Sequence, residues 1–131
     1  MAAQIGLPAV FMRGGTSKGL FFRDADLPSD RVARTALFLA ALGSPDPYGR
    51  QLDGMGGGLS SLSKVMVVAP ASTPDVDVEY TFGQVSVERA AVDYSVNCGN
   101  LSAAVGPFAV DEGIARPVGC LLYTSPSPRD S

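Results

Sequence analysis

Histidine is absent from this 131-residue chain, and so is tryptophan. Without histidine the usual general base, the commonest metal ligand and the serine-hydrolase triad are all excluded. Acid–base chemistry must then rest on Lys, Cys, Asp, Glu or Tyr, and no metal site is expected. There is no excess of basic charge: Lys and Arg number 10 against 13 Asp and Glu, for a net charge of −3. That argues against binding nucleic acid or an anionic membrane by bulk electrostatics. Long apolar runs are missing too. The longest, Ala36–Leu42, is far too short to cross a bilayer. The opening residues Met1–Val10 lack the basic start and apolar centre of a signal peptide. The expectation is a cytoplasmic protein.

Cysteine is scarce, with only Cys98 and Cys120. The string Cys120–Asp130 resembles a translated sequencing-library adapter read in frame, so residues 120–131 are expected to be a non-native tail and are set aside. A disulfide is therefore not expected. The native frame is expected to have been cut near Gly119 rather than to end there.

The whole chain has the composition of one globular domain, 46% hydrophobic and 18% charged. Pro8–Arg13 and Leu20–Arg23 read as two short strands around a Gly14-Gly15-Thr16-Ser17-Lys18-Gly19 turn, hence a hairpin. That turn offers hydroxyls, a lysine and free backbone N–H groups, which suit either an anion or plain solvation. It lacks the spacing of a P-loop. Asp30–Leu42 reads as a helix capped by Ser29 and ended by Gly43, with Val32, Ala36, Leu39 and Ala40 on its apolar face. The glycine- and serine-rich stretch Tyr48–Ser63 is read as a loop. It is not a dinucleotide fingerprint, because Leu59 stands where the last glycine belongs and a strand follows.

That strand is Lys64–Ala69. A lysine at a half-buried strand mouth can act as a base, or it can simply reach water. Val76–Phe82 alternates Val76, Val78, Tyr80 and Phe82 inward, the pattern of a half-buried strand. Gly83-Gln84 is read as a turn into Val85–Arg89, and Val92–Val96 as a last short strand. A helix from about Asn100, capped by Asn100 or Ser102, follows. It is apolar on all sides from Leu101 to Val110, so it should be buried. Cys98 would sit at its N-terminus, where the positive end of the helix favours a thiolate. The plainer alternative is a small buried hydrophobe. The whole reads as an α+β fold, a mainly antiparallel curved sheet around a central helix.

Phe11–Gly19, then Asp53–Gly57 with Ser60, Ser63 and Lys64, then Asn97–Asn100 resemble the N-terminal signatures of the PrpF family. The resemblance spans about Pro8–Gly119. It implies a diaminopimelate epimerase-like fold, built of two similar halves with the site between them. Residues 1–119 would be the N-terminal half. The family's chemistry is cofactor-free proton transfer on small unsaturated tricarboxylates. On that resemblance Lys64 and Cys98 are the candidate catalytic residues. Ser17, Ser60, Ser63, Asn97, Gly99 and Asn100 are the candidate carboxylate-binding positions. Other readings are an amino-acid racemase or epimerase of the same fold, and a non-catalytic carboxylate-binding module. Half a cleft is expected to be inactive, and its exposed face is expected to favour self-association into a homo-oligomer.

Overall fold

Alternation along the strands decides which side of the sheet each residue faces. The computed structural model describes residues 6–72, 78–115 and 123–124. Strand β1 (Val10–Gly14) turns through Gly15-Thr16 into β2 (Ser17–Arg23), antiparallel, with Gly14 opposite Ser17. Gly15 takes φ of +55°, which a glycine adopts without penalty. The expected hairpin is present, and its turn is tighter than expected because Ser17 and Lys18 are already strand. Helix α1 (Arg31–Leu42) then crosses over to β3 (Lys64–Pro70), which pairs parallel with β2. Strand β4 (Val78–Val85) pairs antiparallel with β3, and β5 (Val92–Asp93) pairs antiparallel with β4. The mainly antiparallel sheet therefore has the order β1-β2-β3-β4-β5 with one parallel step at the crossover.

One face of the sheet carries Phe21, Met66, Val68, Val78, Tyr80 and Phe82, covered by Leu101, Val105 and Phe108. The other carries Leu20, Phe22, Val65, Val67 and Val85, covered by Phe38 and Leu42 of α1. Each layer has an aromatic contact at its centre: Phe21 with Phe108, and Phe22 with Phe38, both at 5.4 Å between ring centroids. Burying side chains of this size contributes about 1.5–3 kcal/mol each.

Several expectations change. The cap of α1 is Asp30, not Ser29, because the Asp30 carboxylate accepts from the Ala33 N–H at 3.0 Å. Val32, Ala36 and Ala40 are exposed, Val32 at 76%. The buried residues are instead Phe38 and Leu42, with Leu39 partly buried against the same core, while half-buried Thr35 and exposed Arg31 bond to and stack on Tyr94. Two apolar stripes competed on this helix, and the one with the larger side chains took the sheet. Gly43 does end it, at φ of +82°.

Gly83-Gln84 is not a turn. Strand β4 runs through it, with Gly83 opposite Val65 and Gln84 opposite Lys64. A Cβ on Gly83 would lie 2.8 Å from a Val65 methyl, so this glycine marks close packing between strands. The turn falls later, closed by Ser86 N–H on the Ala91 carbonyl, and β5 is shorter than the expected Val92–Val96. Val76 and Asp77 lie outside the described residues.

The helix after Cys98 is also corrected. It forms two pieces, α2 (Gly99–Ser102) and α3 (Val105–Asp111). Pro107 has no N–H to give to Ala103, so the helical ladder is broken there. The cap is Cys98 rather than Asn100 or Ser102. Nor is the helix buried on all sides: Leu101, Ala104, Val105 and Phe108 face the sheet, while Ala103 and Pro107 are exposed. Of the suspected adapter tail, only Tyr123–Thr124 (β6) is described. It makes a short parallel pairing with Val78–Glu79 on the β4 edge. A strand edge accepts any extended segment through its backbone groups.

Candidate active site

Three elements meet at one corner of the sheet. Ser17 opens β2 and Lys64 opens β3; both side chains fall on the face that packs against α2. Cys98 caps α2 over the same face. Glycines bring the pieces this close. A Cβ on Gly14 would lie 2.5 Å from the Asn100 carbonyl oxygen, and one on Gly19 would lie 2.7 Å from the Lys64 carbonyl oxygen. The hairpin glycines, which the sequence offered as an anion-binding turn, are required by this packing.

The Lys64 Nζ donates to Ser17 Oγ at 2.9 Å and to Cys98 Sγ at 3.1 Å. Ser17 Oγ and Cys98 Sγ are 3.6 Å apart, which closes the triangle. The Leu101 N–H donates to Cys98 Sγ at 3.3 Å. All three side chains are nearly withdrawn from solvent, with exposures of 1% for Ser17, 9% for Lys64 and 8% for Cys98. Among the described residues Lys64 has no carboxylate partner. The Phe82 ring lies 5.7 Å from its ammonium. Burial pushes the Cys98 thiol up. The Leu101 N–H, the Lys64 ammonium and the Ser17 hydroxyl together outweigh that, so the thiol sits below its ordinary value.

The other candidates are arranged around this cluster or away from it. Asn97 is exposed; its side-chain oxygen accepts from the Cys98 N–H at 2.9 Å, and its amide meets the Tyr80 hydroxyl. It fixes the backbone entering Cys98. Gly99 is exposed, with open space where a Cβ would be. Asn100 is exposed and packs its side chain on Gly15. Ser60 lies in an exposed 3-10 turn, Ser60–Leu62. Ser63 does not join the cluster. It is fully buried, with its hydroxyl donating to the Val85 carbonyl at 2.8 Å and accepting from Gln51 Nε2 at 2.7 Å.

Two residues escaped the sequence reading. Gln84, opposite Lys64 on β4, donates to the carbonyls of Ser60 and Ser63 and pins the turn that leads into Lys64. Its even spacing from Tyr80 and Phe82 was the available signal. Gln51 is 1% exposed, has φ of +53°, and bonds Ser44, Ser63 and the Gly58 N–H. A lone glutamine before a glycine-rich loop gave no signal. No cluster of three or more His, Cys, Asp or Glu that could hold a metal occurs among the described residues. No described helix is long and apolar enough to cross a membrane.

The profile of the family described as PrpF protein matches residues 4–120. The chain belongs to the PrpF family. It is 56% identical over 115 residues to a 2-methyl-aconitate isomerase of Cupriavidus necator, covering 85% of this chain and 29% of that protein. It is 53% identical over 112 residues to a (4E)-oxalomesaconate Delta-isomerase of Novosphingobium, covering 86% and 31%. A crystal structure of methylitaconate-delta-isomerase superposes with a TM-score of 0.84 at 46% identity, covering 91% of this chain and 31% of that one. The PrpF chain described here therefore has the expected fold class, and it spans about three tenths of the length of these relatives.

Proposed function

We propose that the protein carrying this segment is an isomerase of a small unsaturated tricarboxylate, or of a closely related dicarboxylate. It would move a double bond, or exchange cis and trans forms, by allylic proton transfer. The carrying observation is the buried Ser17–Lys64–Cys98 triangle, in a chain about half identical to proteins named as isomerases of such acids. A proton allylic to a carboxylate is removed by a positioned base. The resulting anion is delocalised over the carboxylate, and reprotonation at the far carbon gives the isomer.

Cys98, whose thiol loses its proton more readily than an ordinary cysteine and whose sulfur takes the Leu101 N–H, suits the proton acceptor. Lys64 suits the donor and the counter-charge. Ser17 is spoken for by Lys64, so its part is to hold the ammonium in place as much as to meet substrate. The exposed Asn97, Gly99, Asn100 and Ser60 are the positions open to carboxylates; Ser63 would act only through the turn it anchors. Proton transfer of this kind calls for no cofactor. The segment, at about three tenths of its relatives' length, is less than one of two equal halves, so both the rest of this half and the opposing wall would come from elsewhere in the protein. We place the enzyme in the cytoplasm and read residues 120–131 as foreign.

The test is proton NMR of candidate acids in D2O with the full-length protein. Deuterium should enter at the allylic carbon, and Cys98→Ala or Lys64→Ala should slow it by about 100-fold or more, the usual scale for a lost acid–base group. Undiminished exchange in both variants would sink this reading. An amino-acid racemase would instead exchange the α-proton of an amino acid.

A further inference from the structure

Cys98 is the free cysteine among the described residues, so no second thiol there stands ready to resolve an oxidised sulfur. What does stand ready is an amine. Lys64 Nζ lies 3.1 Å from Cys98 Sγ, held on that side by Ser17 Oγ. The Leu101 nitrogen is also near, at 3.3 Å, but its lone pair is delocalised into the Asn100 carbonyl and its N–H already points at the sulfur. Cys98 is 8% exposed and its neighbours Asn97, Gly99 and Asn100 are open to solvent, so a small oxidant can reach the sulfur.

We propose that Cys98 is a site of hydroperoxide oxidation whose sulfenic acid is captured by the Lys64 amine, closing a sulfenamide bond between the start of β3 and the cap of α2. In the first step the thiolate sulfur attacks one peroxide oxygen. The O–O bond breaks, sulfur gives up two electrons and gains a hydroxyl, and the other oxygen leaves as water or an alcohol after taking a proton from the Lys64 ammonium. That transfer leaves Lys64 as a neutral amine beside an electrophilic sulfur. In the second step the amine attacks sulfur, the S–N bond forms, the S–O bond breaks, and the hydroxyl departs with an amine proton as water. The second step is redox-neutral. A thiol reductant reverses the bond and restores both groups, whereas sulfinic acid would be a dead end.

The bond depends on geometry alone; that it would silence catalysis rests on the isomerase reading. The experiment uses the 131-residue chain carrying Cys120→Ser, which removes the other thiol. The protein is treated with hydrogen peroxide and its intact mass and tryptic peptides are measured. The expected product is about 2 Da lighter than the reduced protein, with trypsin cleavage after Lys64 blocked, the Lys64 and Cys98 peptides joined, and all of this reversed by dithiothreitol. Lys64→Arg keeps the charge without a comparable nucleophile and is expected to proceed to a sulfinic acid about 32 Da heavier. Unlinked gains of about 16 or 32 Da in the Lys64 protein, with cleavage after Lys64 intact, would overturn the proposal. So would a joined product about 14 Da heavier, which retains oxygen between the two residues. No turnover is measured, so this outcome is independent of the deuterium exchange.

Discussion

The Gln51 side-chain amide lies 2.7 Å from the Ser63 hydroxyl, one residue before Lys64. The same side chain bonds Ser44 and takes the Gly58 N–H, so one glutamine joins the end of α1, the glycine-rich loop and the start of β3. Gln51→Leu keeps the bulk but leaves the Gly58 N–H without its acceptor and the Ser63 hydroxyl without its donor. Stranding buried polar groups costs about 1–3 kcal/mol each. Urea unfolding should show a loss in that range, and a midpoint equal to the parent's would refute this role.

The Cys98 thiol is predicted to titrate below an ordinary cysteine. Peptide-resolved alkylation as a function of pH measures it. Lys64→Met removes a proton donor and a positive charge and should move the midpoint up; an unchanged midpoint would mean that the Leu101 N–H and the Ser17 hydroxyl suffice without it.

The same shift has a stability consequence. The folded thiol gives up its proton more readily than the unfolded one, whose value is about 8.5. Between the folded and unfolded values the unfolded chain binds more protons, so stability rises with pH; the contribution is complete above the unfolded value and lost as pH falls through the folded value. The melting-temperature gap between the native chain and Cys98→Ser should therefore widen from pH 6 toward about pH 9. A gap that narrows over that range would contradict the thiolate assignment.

Glycines here should divide by what surrounds them. Gly19→Ala drives a Cβ to 2.7 Å from the Lys64 carbonyl oxygen, and neither backbone can yield cheaply. A loss of about 1–3 kcal/mol is expected, as for overpacked cores. Gly99→Ala meets nothing within 4 Å and should be neutral or gain a few tenths of a kcal/mol. Denaturant midpoints for the pair decide the matter, and equal effects would argue against the close packing of β2 on β3.

Apolar substitutions give a contrast of the same kind on the helices. Phe108→Ala empties the contact with Phe21 and should cost about 3–5 kcal/mol. Val32→Asp, at a residue 76% exposed, should stay within about 0.5 kcal/mol in this chain. A large loss at Val32 would show that the other stripe of α1 is the packed one.

Much of the fold was legible because alternation and capping are local. Val78, Tyr80 and Phe82 announced the inner face of β4 by spacing alone, and Gly43 announced the end of α1. The errors fell where a residue has two physical uses. Gly83 could be a turn or a close approach, and only Val65 on the facing strand decides. Ser29 and Asp30 could both cap α1, and the choice was made by the direction of one carboxylate. At the site, Lys64 and Cys98 carried their own chemical signals. The burial of Ser63 and the reach of Gln51 did not, since Ser63 depends on the Val85 carbonyl 22 residues on and Gln51 on Ser63, 12 residues on. The helix over the sheet was misjudged for a different reason: its outer face is apolar at Ala103 and Pro107, and a lone chain cannot say whether such a face meets solvent or more protein.

The outer edge of β4 has a practical consequence for anyone handling this chain. Val78–Glu79 already takes up an extended dipeptide from the tail, beside the β5 pairing at Gln84–Val85. A linker or affinity tag fused after residue 119 would compete for the same backbone groups, so its sequence is not a neutral choice. Charged or proline-bearing linkers, which disfavour added strands, would keep that edge clear.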